Sequence, residues 1–132
     1  MGRSLILDTG VLIAFERGRV DQSVFDDDQL SVAAVTLAEY RVGAELADTP
    51  LRAAARLRSL ELFLAEMDVL EYTARTATDH AQLLAYTRRS GLSRGPHDLI
   101  IAAHAVETGR TVVSLDANAR FGDLPGVVAV AP

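Results

Sequence analysis

Four acidic residues hold most of the chemistry available to this chain of 132 residues: Asp8, Glu39, Asp98 and Asp116. Asp8 follows an aliphatic run, Ser4-Leu5-Ile6-Leu7, and precedes Thr9-Gly10 and a second apolar stretch from Val11 to Phe15. Asp116 closes a similar run, Thr111 to Leu115. Glu39 stands three residues after Thr36, the spacing of a capping box that opens a helix. Asp98 stands two residues after Pro96, in the first turn of another helix. Each position has an ordinary structural explanation. Aspartate is favoured as a helix cap, Glu39 completes the box with Thr36, and Asp98 complements a helix dipole. Taken singly, those explanations are at least as strong as a chemical one. Taken together they are weaker, because carboxylates gathered in one place repel and raise each other's pKa. A divalent cation such as Mg²⁺ or Mn²⁺ prefers oxygen ligands and relieves that repulsion, and it can activate a water beside a phosphodiester.

Absences narrow the field. The chain has no cysteine, which removes disulfides, thiolate metal sites and cysteine nucleophiles and is compatible with a reducing compartment. All thirteen basic residues are arginine. Without lysine there is neither a P-loop nor the lysine that a receiver domain needs beside its phosphoacceptor aspartate. Asp8-Thr9-Gly10 lacks the D-x-D of haloacid-dehalogenase phosphatases, and no G-x-S-x-G elbow occurs. His80, His97 and His104 do not fall at H-E-x-x-H spacing. His97 reads as a capping or surface residue beside Asp98, and His104 as one that packs or faces solvent. Asp26-Asp27-Asp28 lacks the spacing and the glycine of a calcium loop and reads as a solvated loop. A formal charge of −5 argues against a general nucleic-acid coat. Phosphate contacts would then fall to local arginines, of which Arg88, Arg89 and Arg94 flank the loop before Asp98. The alternative is that they serve a helix C-terminus, where cations complement the dipole.

The elements that must position these residues alternate between strand and helix. Strands are expected at Leu5–Leu7, Leu30–Ala33, Val69–Leu70, Thr111–Leu115 and Val127–Val130, the third being weak. A short buried helix follows Asp8 and stops at Gly18. Others run from Thr36 to about Leu46, from Leu51 to Glu66 behind Thr49-Pro50, from Thr73 to Arg89, and from His97 to Thr108 with Gly109 as its stop. In the helix Leu51 to Glu66, Ala54, Leu57, Leu60 and Leu64, with Met67 beyond, keep helical spacing. The pattern predicts an α/β fold, one domain over residues 1–132, with a central, mostly parallel β-sheet flanked by helices. Parallel strands deliver their C-terminal ends to one edge, where ligands bind, and all four acids are expected at that rim. The first apolar run, broken by Asp8 and followed by Glu16-Arg17, fits neither a signal peptide nor a membrane span, so a cytoplasmic protein is expected.

Three segments carry a family likeness: LILDTGVLIAF, VTLAEYRVGAEL and HDLIIAAHAVETGRTVVSLDANARFGDLPGVVAV. In this order and at this spacing the chain resembles the PIN-domain ribonucleases, and among them the VapC toxins of toxin–antitoxin pairs, over nearly its whole length. The resemblance implies that Asp8, Glu39, Asp98 and Asp116 form the family's acidic quartet, bind one or two Mg²⁺ or Mn²⁺ ions and position the water that cleaves RNA. It implies supporting roles for Thr9, for Ser114, where relatives often carry threonine, and for Asn118, where some carry another acid. Gly10 departs from the serine or polar residue usual at its position. The resemblance also implies tRNA or ribosomal RNA as substrate, a VapB-like antitoxin as partner, and a homodimer. Two rival readings remain. A non-catalytic PIN domain that binds metal or RNA and acts through a partner would take up metal without cleaving RNA. A structure-specific DNA nuclease would need long insertions to clamp its substrate, and this compact chain has no room for them.

Overall fold

The computed structural model describes residues 2–132. Its five strands, β1 (Ser4–Leu7), β2 (Gln29–Ala33), β3 (Asp68–Leu70), β4 (Thr111–Val113) and β5 (Ala129–Val130), form one sheet in the order β3-β2-β1-β4-β5. Every pairing is parallel, with Leu7 opposite Val113 and Ile6 opposite Ser31. The helices are α1 (Thr9–Glu16), α2 (Ala34–Glu45), α3 (Pro50–Glu66), α4 (Ala74–Ser90) and α5 (Pro96–Thr108). Among the described residues no helix is long and apolar enough to cross a membrane.

The central strand is aliphatic because it is covered on both faces, as parallel strands are. Leu5 and Leu7 point into a core made with Val11 and Leu12 of α1, Tyr40 of α2, and Leu60 and Phe63 of α3. Ile6 points the other way, into a core with Leu83 of α4 and Leu99, Ile101 and Ala102 of α5. The alternation of β1 thus divides the molecule into two apolar layers on either side of one sheet.

Local chemistry sets several boundaries where the sequence predicts them. The Thr49 hydroxyl accepts from the Arg52 N–H at 3.1 Å with Pro50 opening α3. Gly91 and Gly109 end α4 and α5 in the left-handed region, at φ 71° and 68°.

Other boundaries differ from expectation. The helix α2 starts at Ala34, directly from the last residue of β2, and its N-cap makes no side-chain hydrogen bond. Thr36 is therefore inside the helix with a fully buried side chain, and Glu39 lies in the second turn rather than the first. Burial of Thr36 overrides the capping-box pattern. β4 ends at Val113, not Leu115, because the Ser114 hydroxyl accepts from the Asp116 N–H and turns the chain outward, leaving Leu115 half exposed. β5 is shorter than its apolar run, since Val127 is taken into the core. In α3 Phe63, not Leu64, faces inward. Asp28 is not a solvated loop residue: its carboxylate accepts from the Arg3 backbone at 2.8 Å and pairs with the Arg3 guanidinium at 2.9 Å.

Consecutive strands β1 and β2 are neighbours on one side, whereas β4 joins β1 on its other side. The strand order therefore reverses between β1 and β4, and a crevice opens beyond the C-terminal ends of these two strands.

Candidate active site

Asp8 emerges from β1 at that crevice. Its backbone N–H donates to the Val113 carbonyl at 3.0 Å, the last link between β1 and β4 on this edge. It is the N-cap of α1, with Oδ1 accepting from the Thr9 N–H at 2.7 Å. Its other oxygen, Oδ2, accepts from the Ser114 hydroxyl at 3.1 Å. Ser114 in turn accepts from the Asp116 N–H at 3.0 Å, so one hydroxyl ties the first and last acids of the set. Asp116 caps the short 3₁₀ turn Ala117–Ala119, with Oδ1 accepting from the Asn118 N–H at 2.9 Å. The capping roles expected of Asp8 and Asp116 are thus present, and each uses only one carboxylate oxygen for them.

Glu39 reaches the same rim from α2. Its Oε1 accepts from the Thr9 hydroxyl at 3.3 Å, and its Oε2 lies 3.3 Å from His97 Nδ1. His97 is exposed on the first turn of α5, the surface position expected of it, and its ring also sits against Glu39 while its neighbour Asp98 faces the acids, a contact the sequence did not show. The only signal was its place in the first turn of α5, beside a candidate ligand. Asp98 lies against Gly95, where a Cβ would come within 2.9 Å of Asp98 Oδ2. A cleft of about 150 Å³ opens between Asp98 and Asp116, lined also by Arg94, Gly95, Asn118 and Arg120; Asp8 and Glu39 are not part of its lining.

The four acids repel one another, and that repulsion shows in the titration of Asp98 and Asp8. Asp98 is half buried and its pKa is pushed up to about 6, first by loss of hydration and then by the charges of Asp8, Asp116 and Glu39, with His97 opposing. Burial also raises Asp8; the Thr9 and Ser114 hydrogen bonds oppose that rise, and the charges of Glu39 and Asp116 add to it. Among the described residues no three Asp, Glu or His side chains are gathered tightly enough to enclose a metal ion as they stand. Mg²⁺ typically takes one or two carboxylates directly and reaches the rest through its hydration shell. An all-oxygen donor set fits such an ion and would not suit a soft, thiolate-seeking one.

The predicted arginines part company. Arg94 lines the cleft, but its Nη1 donates to the carbonyls of Ala119 and Arg120 at 2.8 and 2.7 Å. Arg88 and Arg89 are exposed in the last turn of α4, do not line the cleft, and form no ion pair among the described residues. The Asn118 side chain lines the cleft, while its backbone serves the Asp116 cap.

The model of the PIN domain family matches residues 5–125. The chain is 36% identical over 125 residues to the ribonuclease VapC5 of Mycobacterium tuberculosis, covering 95% of this chain and 90% of that one. It is 37% identical over 86 residues to the tRNA(fMet)-specific endonuclease VapC of Shigella flexneri, a match spanning 65% of this chain and 63% of the relative. Its fold superposes on the crystal structure of DNA-bound VapBC from Salmonella typhimurium with a TM-score of 0.83 at 28% identity, over 99% of this chain and 98% of the other.

Proposed function

This chain belongs to the PIN-domain family and within it to the VapC-type ribonucleases, and from that premise we propose a divalent-metal-dependent endoribonuclease in which Asp8, Glu39, Asp98 and Asp116 hold the ion. The observation that carries the proposal is the convergence of the acids at one sheet edge: Ser114 joins the Asp8 carboxylate to the Asp116 backbone, Thr9 beside Asp8 donates to Glu39, and Asp98 is close enough to feel the charges of all three. A bound Mg²⁺ or Mn²⁺ would make a coordinated water easier to deprotonate and would offset charge on the phosphodiester.

The chain's own residues do the positioning. Asp8 is oriented by a backbone N–H and by the Ser114 hydroxyl, so its carboxylate cannot swing away from the rim. Glu39 is oriented by Thr9 on one oxygen and by His97 on the other. Before an ion binds, burial and then the charges of Asp8, Asp116 and Glu39 push the Asp98 carboxyl up to about 6, a repulsion that a bound cation would relieve. In the hydrolysis the water oxygen forms a bond to phosphorus, its proton passes to a base, and the bond from phosphorus to the leaving oxygen breaks as that oxygen gains a proton. Arg88 and Arg89, exposed in the last turn of α4 and in no ion pair among the described residues, are available to meet RNA phosphates outside the cleft.

The Shigella relative's name points to tRNA as the substrate class, and the Salmonella structure, a DNA-bound VapBC complex, to a VapB-like antitoxin as partner. We extend both to this chain, together with a homodimeric toxin working in the cytoplasm. The test is cleavage of tRNA and bulk RNA by the purified chain with Mg²⁺ or Mn²⁺, against the same reaction in EDTA. Asp8→Asn and Asp98→Asn are expected to lose at least about 100-fold in turnover while keeping the wild-type circular dichroism. Full turnover by both variants sinks the assignment.

A further inference from the structure

Arg94 sits in the irregular segment between α4 and α5, four residues before Asp98. Its Nη1 donates to two successive carbonyls, Ala119 at 2.8 Å and Arg120 at 2.7 Å, in the loop that follows Asp116. Both hydrogens of that nitrogen are thereby used. Successive carbonyls along an extended chain point to opposite sides. Here both reach one nitrogen across a bend at Arg120, whose φ is 50°. Arg120 is the one non-glycine residue in the left-handed region among those described. A long side chain rarely adopts that conformation, and it persists where its surroundings over-determine it. The surroundings are visible: the Arg120 carbonyl accepts from Arg94 and from the Asp123 N–H at 3.1 Å, and the Arg120 guanidinium pairs with Asp123 at 2.8 Å.

We propose that Arg94 is a positioning residue that latches the turn carrying Asp98 to the loop carrying Asp116 and Asn118, instead of contacting the substrate's phosphates. This rests on the reading of the acidic quartet as the catalytic site. The latch has a direct consequence for the cleft. Arg94, Gly95 and Asp98 form one wall and Asp116, Asn118 and Arg120 the other, so the span between the Asp98 and Asp116 carboxylates depends on the two hydrogen bonds that close it. The fixed planar guanidinium suits this task, because its two N–H bonds diverge in one plane toward two oxygens. An ammonium on a shorter stem supplies the charge without that reach. Arg88 and Arg89, with no such acceptors, keep their donors free for substrate.

The experiment compares wild type with Arg94→Met, Arg94→Lys and Asp98→Asn by three measurements. These are steady-state RNA cleavage at several salt concentrations, Mn²⁺ affinity by calorimetry without RNA, and amide hydrogen exchange. For Arg94→Met we expect a 10- to 100-fold loss in kcat, the usual scale for a group that orients ligands, with KM nearly unchanged. We also expect an equally reduced Mn²⁺ affinity and lost protection in residues 117–123, while β1 amides stay protected. Lysine is expected to restore none of these. A phosphate contact behaves differently: KM rises, the slope of log affinity against log salt falls by about one, lysine rescues in part, and exchange and Mn²⁺ affinity stay at wild type. That pattern overturns the proposal. Wild-type turnover by Asp98→Asn overturns it through its premise instead, a failure that the exchange data on residues 117–123 keep distinct from absence of the latch. Should Arg94→Met lose protection in β1 as well, Arg94→Gln, which keeps a neutral donor, is read by the same criteria.

Discussion

Asp98 concentrates the cost of this site at the scale of one residue. It is half buried, it faces three other carboxylates, and in the metal-free protein its pKa is pushed up from 3.8 to about 6. The native state therefore binds a proton more readily than the unfolded chain does. By linkage, the stabilisation from that proton is complete below about pH 4 and is lost as pH rises through about 6. In EDTA the wild-type protein should accordingly lose stability between about pH 4 and pH 7 from this group. Asp98→Asn, which cannot ionise, should lack that loss and be the more stable protein at pH 8 while being inactive. Urea denaturation of both proteins at several pH values in EDTA checks this; identical pH slopes for the two would refute it. Mg²⁺ should raise the wild-type midpoint at pH 8 more than at pH 5, because an ion that binds only the native state stabilises it by mass action and binds carboxylates, not acids.

At the scale of elements, helix ends were legible wherever a cap is a local affair. Thr49-Pro50, Gly91 and Gly109 bound their helices by chemistry contained within a turn. The start of α2 was not legible, because Thr36-x-x-Glu39 satisfies a local rule that the core overrules by burying Thr36. The end of β4 was hidden for a related reason. Ser114 reads as one more strand residue until Asp8, brought alongside from the other end of the chain, accepts its hydroxyl. The N-terminus of α5 shows how closely an element boundary and the site are joined. Gly95 has ordinary φ (−62°), so alanine there strains no backbone, yet its Cβ would stand 2.9 Å from Asp98 Oδ2. The carboxylate is the mobile end of a side chain and can give way by rotating. Gly95→Ala is therefore expected to stay within about 1 kcal/mol of wild-type stability, as surface changes usually do, and to lose roughly 10-fold or more in kcat through a displaced ligand. Thermal melts and cleavage rates on the same preparation separate the two effects. A stability loss without a rate loss would show that Asp98 does not need the space Gly95 leaves.

At the scale of the whole molecule, the rule that parallel strands aim their C-terminal ends at one crevice made the four acids legible as a group, although the individual contacts were not. His97 against Glu39 and Arg94 against Ala119 join distant segments, and no local pattern announces them. The same holds for His104, which the sequence left between core and surface. It is 1% exposed, in the middle of the helix that carries Asp98, and neither ring nitrogen has a hydrogen-bond partner. Its surroundings are the Tyr72 ring, nearly perpendicular with centroids 6.3 Å apart, and the Glu107 carboxylate at 3.9 Å. Glu107 already accepts from the Thr76 hydroxyl, and His80 is held by the Tyr72 hydroxyl. Burial lowers the pKa of His104; Glu107 pulls it back up and His80 adds to the lowering. The sign is opposite to that of Asp98. The unfolded chain takes up the proton first, so the stability associated with a neutral His104 is present above its ordinary value of 6.5 and is lost as pH falls toward its lowered native value. A leucine of similar volume replaces two unsatisfied ring nitrogens with apolar surface, a change that is nearly neutral or stabilising. His104→Leu, made in the Asp98→Asn background to remove the opposing titration, should match its parent within about 1 kcal/mol at pH 8 and exceed it increasingly as pH drops below 6.5. Urea midpoints measured in EDTA from pH 8 down to pH 5 decide the matter, and parallel curves for the two proteins would mean that His104 takes up its proton as readily in the native state as in the unfolded chain.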